Sequence, residues 1–390
     1  MIAKRIKNLP PSGIREFFDL VLGMPEVISL GVGEPDFITP WRIRERAISA
    51  LEEGLTSYTS NSGLFVLRQG ISQHLNKKYS LNYGPLEEVL ITVGVSEGLD
   101  LSLRTVLEAK DKVIVPSPYY VAYPALVEAN FGKVIPLLTK EEEGFKITPK
   151  ALSGLLKENP KAIILNYPSN PTGVTYTREE LKEIWKILSS KEIFIISDET
   201  YDELTYDGEH TCFASLDKKA KKKVILLNGF SKGYAMTGFR VGYACADAEI
   251  ISAMTKIHSY SMLCGPIISQ IAAVEGLKAQ KEVSSMRREY KRRRDFISGE
   301  LNRLGLHTVQ PQGAFYCFSS LKKYKMNSLD FAKQLLFKEK VAVVPGTAFG
   351  KEFSSYIRIS YANSLENLKE AITRIERFLR DKPIHQIGPA

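Results

Sequence analysis

Between residues 89 and 245 short apolar runs alternate with polar turns and stretches of helical periodicity. The apolar runs are Val89–Val93, Lys112–Val115, Lys133–Leu137, Ala162–Leu165, Ile193–Ser197, Val224–Leu227 and Val241–Cys245. Helical patterns occupy Tyr120–Asn130, Pro149–Glu158 and Arg178–Ser190 between them. Short strands joined by helical crossovers predict a mainly parallel sheet with helices on both faces. Such sheets bind ligands just past the carboxyl ends of their strands. Chemistry is therefore expected in the residues that end each run.

Three runs end on residues with chemical capability. Val224–Leu227 leads into NGFSKGYAMTGFR, which carries Ser231, Lys232 and Arg240. A lysine whose surroundings favour the neutral amine condenses with an aldehyde. An arginine grips phosphate through paired hydrogen bonds. Ile193–Ser197 leads into Asp198-Glu199-Thr200-Tyr201. An aspartate directly after a buried apolar run is costly without a cationic partner, and a protonated ring nitrogen is such a partner. Ala162–Leu165 leads into Asn166-Tyr167-Pro168-Ser169-Asn170-Pro171-Thr172-Gly173. Each segment also has an ordinary reading: Asn-Pro-Thr-Gly is a good turn, Asp198 a helix cap, Tyr201 a core residue. Their joint placement favours a site.

Upstream, the strand Val89–Val93 and the turn Gly94-Val95-Ser96 enter a helix at Glu97, an arrangement whose backbone N–H groups and dipole suit an anion. Gly31-Val32-Gly33-Glu34-Pro35-Asp36-Phe37 follows a short strand at Val27–Leu30. It lacks the third glycine of a dinucleotide fingerprint, so Gly33 is expected to bring backbone close to a ligand. A helix is predicted over Ser12–Gly23, with Ser12 as its cap. Downstream, a helical region Met254–Leu277 breaks near Gly265-Pro266, and a long charged helix covers Lys281–Leu304. Strands are predicted at Leu306–Val309, Ala314–Phe318, Val341–Val344 and Tyr356–Ser360, with helices at Leu329–Lys338 and Leu365–Leu379. This change to mixed α+β predicts three divisions: an arm and part of a small domain over 1–45, a large domain over 46–289, and a C-terminal small domain over 290–390.

Net charge is +9. Much of it lies in Lys218–Lys223, expected to be a solvated loop, and in Arg287–Arg294, expected to be an exposed helix face. Neither carries a nucleic-acid motif or interleaved aromatics, so nucleic-acid binding is not expected. No apolar stretch approaches the roughly 20 residues of a membrane span. Met1–Pro10 is basic without an apolar core behind it, so no secretory signal is expected. Four scattered cysteines, without a CxxC or Cys/His cluster, predict buried thiols in a reducing compartment and no metal site. A cytoplasmic protein is the expectation.

The motifs SLGVGEPDF, SYTSNSG, NYPSNPTG, SDETY, SKGYAMTGFRVGY and YIRISYA, over about Ser12 to Phe378, resemble class I aminotransferases. Within that family the likeness is to prokaryotic and archaeal aspartate and aromatic-amino-acid aminotransferases. The resemblance implies the α/β fold type I of pyridoxal 5′-phosphate (PLP) enzymes, a mainly parallel seven-stranded sheet flanked by helices with a smaller α+β domain. It implies that Lys232 is the Schiff-base lysine and that Asp198 pairs with the pyridine nitrogen. Asn170 and Tyr201 would bind the ring oxygen, Tyr120 would stack on the ring, and Val95, Ser96 and Arg240 would form the phosphate cup. Tyr58 would reach the phosphate of a neighbouring subunit, which implies a homodimer. Arg358, with Gly33 and Asn170, would hold the substrate α-carboxylate. The implied reaction moves an amino group from aspartate or an aromatic amino acid to a 2-oxo acid, with 2-oxoglutarate as acceptor, in a ping-pong sequence. A PLP-dependent cysteine-conjugate β-lyase would share every cofactor residue. A PLP-binding regulator would need a DNA-binding domain that the thirty or so residues before Gly31 do not accommodate.

Overall fold

A computed structural model describes residues 2–7, 9, 24, 26–380 and 382. The predicted helix Ser12–Gly23 lies outside the described residues. Among the described residues twelve strands follow in order: β1 Ile28–Ser29, β2 Val89–Thr92, β3 Lys112–Ser117, β4 Lys133–Leu138, β5 Ala162–Asn166, β6 Phe194–Asp198, β7 Val224–Gly229, β8 Gly242–Cys245, β9 Tyr316–Ser320, β10 Val341–Ala342, β11 Val344–Pro345 and β12 Tyr356–Ser360.

The main sheet has the order β2-β8-β7-β6-β5-β3-β4. Only β8 runs against the others, antiparallel to both β2 and β7. The apolar runs are continuous because both faces are covered. Ile163, Leu165, Ile195, Val224 and Leu226 pack into the core on one face. Their neighbours Ile164, Ile196, Ile225 and Leu227 pack into the core on the other. Each fully buried aliphatic side chain contributes about 1.5–3 kcal/mol, so placing a charge within either layer would break the sheet.

Strand direction decides where the functional residues go. The carboxyl ends of β2, β3, β5, β6 and β7 lie at one end of the sheet, and the start of antiparallel β8 lies there too. The segments that follow Thr92, Ser117, Asn166, Asp198 and Gly229, and the one that precedes Gly242, therefore converge.

A second layer comes from the chain's two ends. Strand β1 pairs parallel with β10, and β11-β12-β9 form an antiparallel sheet. Leu30 packs in one cluster with Phe315, Ile357, Ile359 and Leu368. The helix Gln280–Arg303 connects this layer to the main sheet.

Several expectations are corrected. Lys218–Lys223 is a helix, not a loop: Asp217 caps it by accepting the Ala220 amide at 2.8 Å, and Ala220 is buried. Arg293 and Arg294 are buried rather than exposed, because each meets a distant carboxylate. Arg293 holds both oxygens of Asp36 at 2.8 Å, and Arg294 pairs with Asp207 and donates to the Pro311 carbonyl. Leu306–Val309 forms no strand; Thr308 makes a single bridge to Ser319 and hydrogen bonds to Asn302 instead. The strand predicted at Ala314–Phe318 runs over Tyr316–Ser320. The helix predicted from Tyr120 starts at Ala122, leaving Tyr120 in the turn, and the helix predicted from Glu97 starts at Gly94.

Candidate active site

The converging segments enclose a cavity of about 720 Å³. Asp198, Tyr201 and Lys232 line it together with Val95, Ser96 and Arg240 and with Gly33, Asn170 and Arg358. Tyr120 lines it as well. Tyr58 is not among the lining residues; it is 82% exposed on this chain.

Asp198 is the last residue of β6 and is 6% exposed. Tyr123 donates its hydroxyl to Oδ2 at 2.8 Å, and the Thr200 amide donates to Oδ1 at 3.2 Å. No cation pairs with it among the described residues. Burial pushes the carboxyl up to about 6, against the lowering effect of those two hydrogen bonds.

Lys232 follows β7 by three residues, and its Nζ donates to the Gly33 carbonyl at 2.6 Å. Burial pushes its amine down to about 8; the neighbouring Arg358 and Arg240 push the same way, and Glu34 and Asp198 oppose them. A lysine in this state keeps a usable neutral fraction near neutral pH.

Arg240 has a left-handed backbone, φ 54°, and directs its guanidinium at the start of the helix Gly94–Val106. A Cβ at Gly94 would lie 2.6 Å from Arg240 Nη2. A Cβ at Gly242 would lie 2.7 Å from the Gly94 carbonyl carbon and 2.8 Å from the Val95 nitrogen. These two glycines let a guanidinium, a helix N-terminus and the Ser96 hydroxyl share one small concavity. That combination attracts a dianion.

Arg358, on β12, is 1% exposed and lies between the rings of Tyr316 and Phe349, at 4.5 and 5.0 Å. Its Nη1 donates to Asn170 Oδ1 at 3.0 Å and its Nη2 to the Gly31 carbonyl. Its Nε has no partner among the described residues. A buried guanidinium held by neutral oxygens alone is a seat for a carboxylate.

The donor set fits PLP on observations of this site: a cradle that a Cβ would fill, a buried carboxylate without a cation, and a lysine of lowered proton affinity. Three contributors carry no role from the sequence. Tyr123 holds Asp198. Tyr316 shares a hydrogen bond with Tyr201 at 2.8 Å. Asn166 donates to the Asp198 carbonyl at 3.1 Å and accepts the Asn170 amide at 2.9 Å. Tyr123 and Tyr316 lie inside SPYYVAY and GAFYCF, where nothing but the fold separates them from ordinary core aromatics.

Comparison with known proteins agrees with this geometry. Residues 25–375 match the family of class I and II aminotransferases. The aspartate aminotransferase of Pyrococcus abyssi is 41% identical, over 98% of this chain and 99% of its own. Aromatic-amino-acid aminotransferase 2 of Thermococcus litoralis is 38% identical, over 98% of this chain and 99% of its own. The crystal structure of Thermus thermophilus aspartate aminotransferase with maleate superposes with a TM-score of 0.92 at 35% identity, covering 97% of this chain and 99% of that one. Gathered at the carboxyl ends of a mainly parallel sheet and matched along almost its whole length, the chain belongs to the class I and II aminotransferases, PLP-dependent enzymes of fold type I.

Proposed function

We propose that the enzyme moves the amino group of L-aspartate or an aromatic L-amino acid to 2-oxoglutarate, in a ping-pong sequence, as a cytoplasmic homodimer. The observation that carries the reading is the convergence of Lys232, Asp198, Arg240 and Arg358 on one cavity. The full-length similarity to aspartate and aromatic-amino-acid aminotransferases supports the donor class.

On this reading residues 46–289 hold the cofactor, and residues 1–45 with 290–390 form the smaller unit. Val95, Ser96 and Arg240 would seat the phosphate, and Tyr120 the ring face. Asp198 would meet the ring nitrogen, and Asn170 and Tyr201 the ring oxygen. When bound, PLP supplies an electron sink for the charge left at the substrate Cα.

The chain's own residues do the rest. Arg358 binds the α-carboxylate in paired hydrogen bonds, with Asn170 and the Gly31 carbonyl fixing the guanidinium and the Gly33 backbone close by. That anchorage turns the Cα–H bond toward Lys232. The neutral Lys232 amine takes the Cα proton, a general-base role commonly worth ~10²–10⁴-fold in rate. Asp198 keeps its charge when a ring proton faces it, and Tyr123 and Thr200 hold its two oxygens in place for that. Tyr58 would reach the phosphate of the neighbouring protomer's site, which suits its 82% exposure on one protomer.

Initial rates test the sequence of events. Varying the donor at several fixed 2-oxoglutarate concentrations is expected to give parallel double-reciprocal lines; intersecting lines would contradict the ping-pong scheme. The same assay ranks aspartate against tyrosine by kcat/KM.

A further inference from the structure

Glu34 has no part in the roles above, yet it lines the mouth of the same cavity. Its carboxylate accepts a hydrogen bond from the Thr237 hydroxyl. The carbonyl of Thr237 in turn accepts Arg240 Nη1 at 3.0 Å. The residue before Glu34, Gly33, supplies the carbonyl on which Lys232 Nζ rests at 2.6 Å. One short segment therefore touches the lysine through its backbone and the phosphate-facing arginine through Thr237.

The charges around the Lys232 amine are unequal. Arg358 and Arg240 disfavour an ammonium there, and the rings of Tyr201 and Phe315 stand 5.9 Å away. Two carboxylates favour it, Glu34 and Asp198. With a cationic ring nitrogen opposite Asp198, Glu34 would be the carboxylate left to offset the charge.

We propose that Glu34 is a positioning residue for Lys232: anchored by Thr237 on the same cavity, next to the Gly33 carbonyl that takes Lys232 Nζ, its negative charge favours the released ammonium at that carbonyl between proton transfers. The inference rests on the reading of Lys232 as the proton carrier. The amine becomes an ammonium when it takes the Cα proton and is neutral again once the proton is delivered. Glu34 lowers the free energy of the charged form at a point where two arginines raise it, and so keeps the amine within reach.

The test reads the lysine directly. In the full chain freed of cofactor, and again when loaded with pyridoxamine 5′-phosphate, the Lys232 amine is unlinked and open to acetic anhydride. Mass spectrometry of Lys232 acetylation across pH gives its midpoint. Glu34→Gln keeps an acceptor for Thr237 and removes the charge. The midpoint is expected to fall by roughly one pH unit, a roughly tenfold gain in neutral amine at a given pH. Glu34→Asp is expected to restore part of the shift. In turnover, Glu34→Gln is expected to lower kcat while leaving the donor KM unchanged. A Glu34→Gln midpoint equal to or above that of the unsubstituted chain overturns the proposal, as does a change confined to KM. Failure of the aminotransferase reading would show separately, as an unsubstituted chain that does not turn over while its acetylation midpoint remains measurable.

Discussion

Tyr123 donates its hydroxyl to Asp198 Oδ2 at 2.8 Å, and behind that bond the carboxylate has no cation among the described residues. The arrangement stores a cost. Asp198 is buried in a state that its surroundings resist, and on the proposed role a positive ring nitrogen would relieve that cost. Cofactor binding would then recover stability given up at this residue.

The sign of that cost can be measured. The Asp198 carboxyl is raised to about 6 in the folded chain, against 3.8 ordinarily. The folded state therefore binds the proton more tightly, and this residue's penalty is complete above pH 6, shrinks as pH falls through 6, and is gone below 4. Asp198→Asn should make the cofactor-free chain more stable than the unsubstituted chain at pH 8, by up to about 3 kcal/mol. The advantage should vanish near pH 4, as read by paired thermal melts. The same variant should bind PLP more weakly. A cofactor-free Asp198→Asn chain less stable at pH 8 would contradict the account.

Arg358 is expected to matter for every donor alike, because the α-carboxylate is common to all. Arg358→Ala should raise KM by roughly 10- to 100-fold for aspartate and for tyrosine, the worth of a charge-assisted bond. Arg358→Lys should not restore it, since an ammonium cannot span two oxygens in one plane. A loss confined to one donor would place the residue at the side chain instead.

The proposed phosphate cradle depends on backbone proximity. Gly242→Ala would set a methyl 2.7 Å from the Gly94 carbonyl carbon. Forcing the two segments apart should cost about 1–3 kcal/mol of stability and raise the dissociation constant for PLP. A melt and a cofactor titration together check it. An unchanged PLP constant would show that the glycine pair does not shape the site.

Tyr58 offers a test of the dimer. If it serves the neighbouring protomer's site, mixed dimers of Lys232→Ala and Tyr58→Ala protomers contain one complete site. Refolding the two inactive or weakened variants together should give activity above the sum of the two. No gain on mixing would mean that Tyr58 acts within its own protomer or not at all.

The parallel sheet was legible because its strands are unbroken apolar runs, and such runs survive only where both faces are covered. The site was legible because Lys232, Asp198, Asn170 and Arg240 stand in short motifs at strand ends. What escaped was long-range pairing. Arg293 and Arg294 sit in a run of charge that looks solvated until Asp36 and Asp207, far away in the chain, are brought against them. Lys218–Lys223 carries four lysines besides Lys218 itself and Ala220, yet one capping aspartate and one buried alanine make it a helix. Tyr123 and Tyr316 gained a role only when folding placed their hydroxyls on Asp198 and Tyr201.

On the proposed function Lys232 carries the cofactor, and amino groups pass through it. The most direct measurement is the visible absorption spectrum of the purified, PLP-loaded protein, before and after amino acids are added. A yellow lysine-bound band is expected, which aspartate or tyrosine bleaches and 2-oxoglutarate restores, with Lys232→Ala folded, unable to form that band and inactive. No band after incubation with PLP, or substantial turnover by Lys232→Ala with several donors, would contradict it.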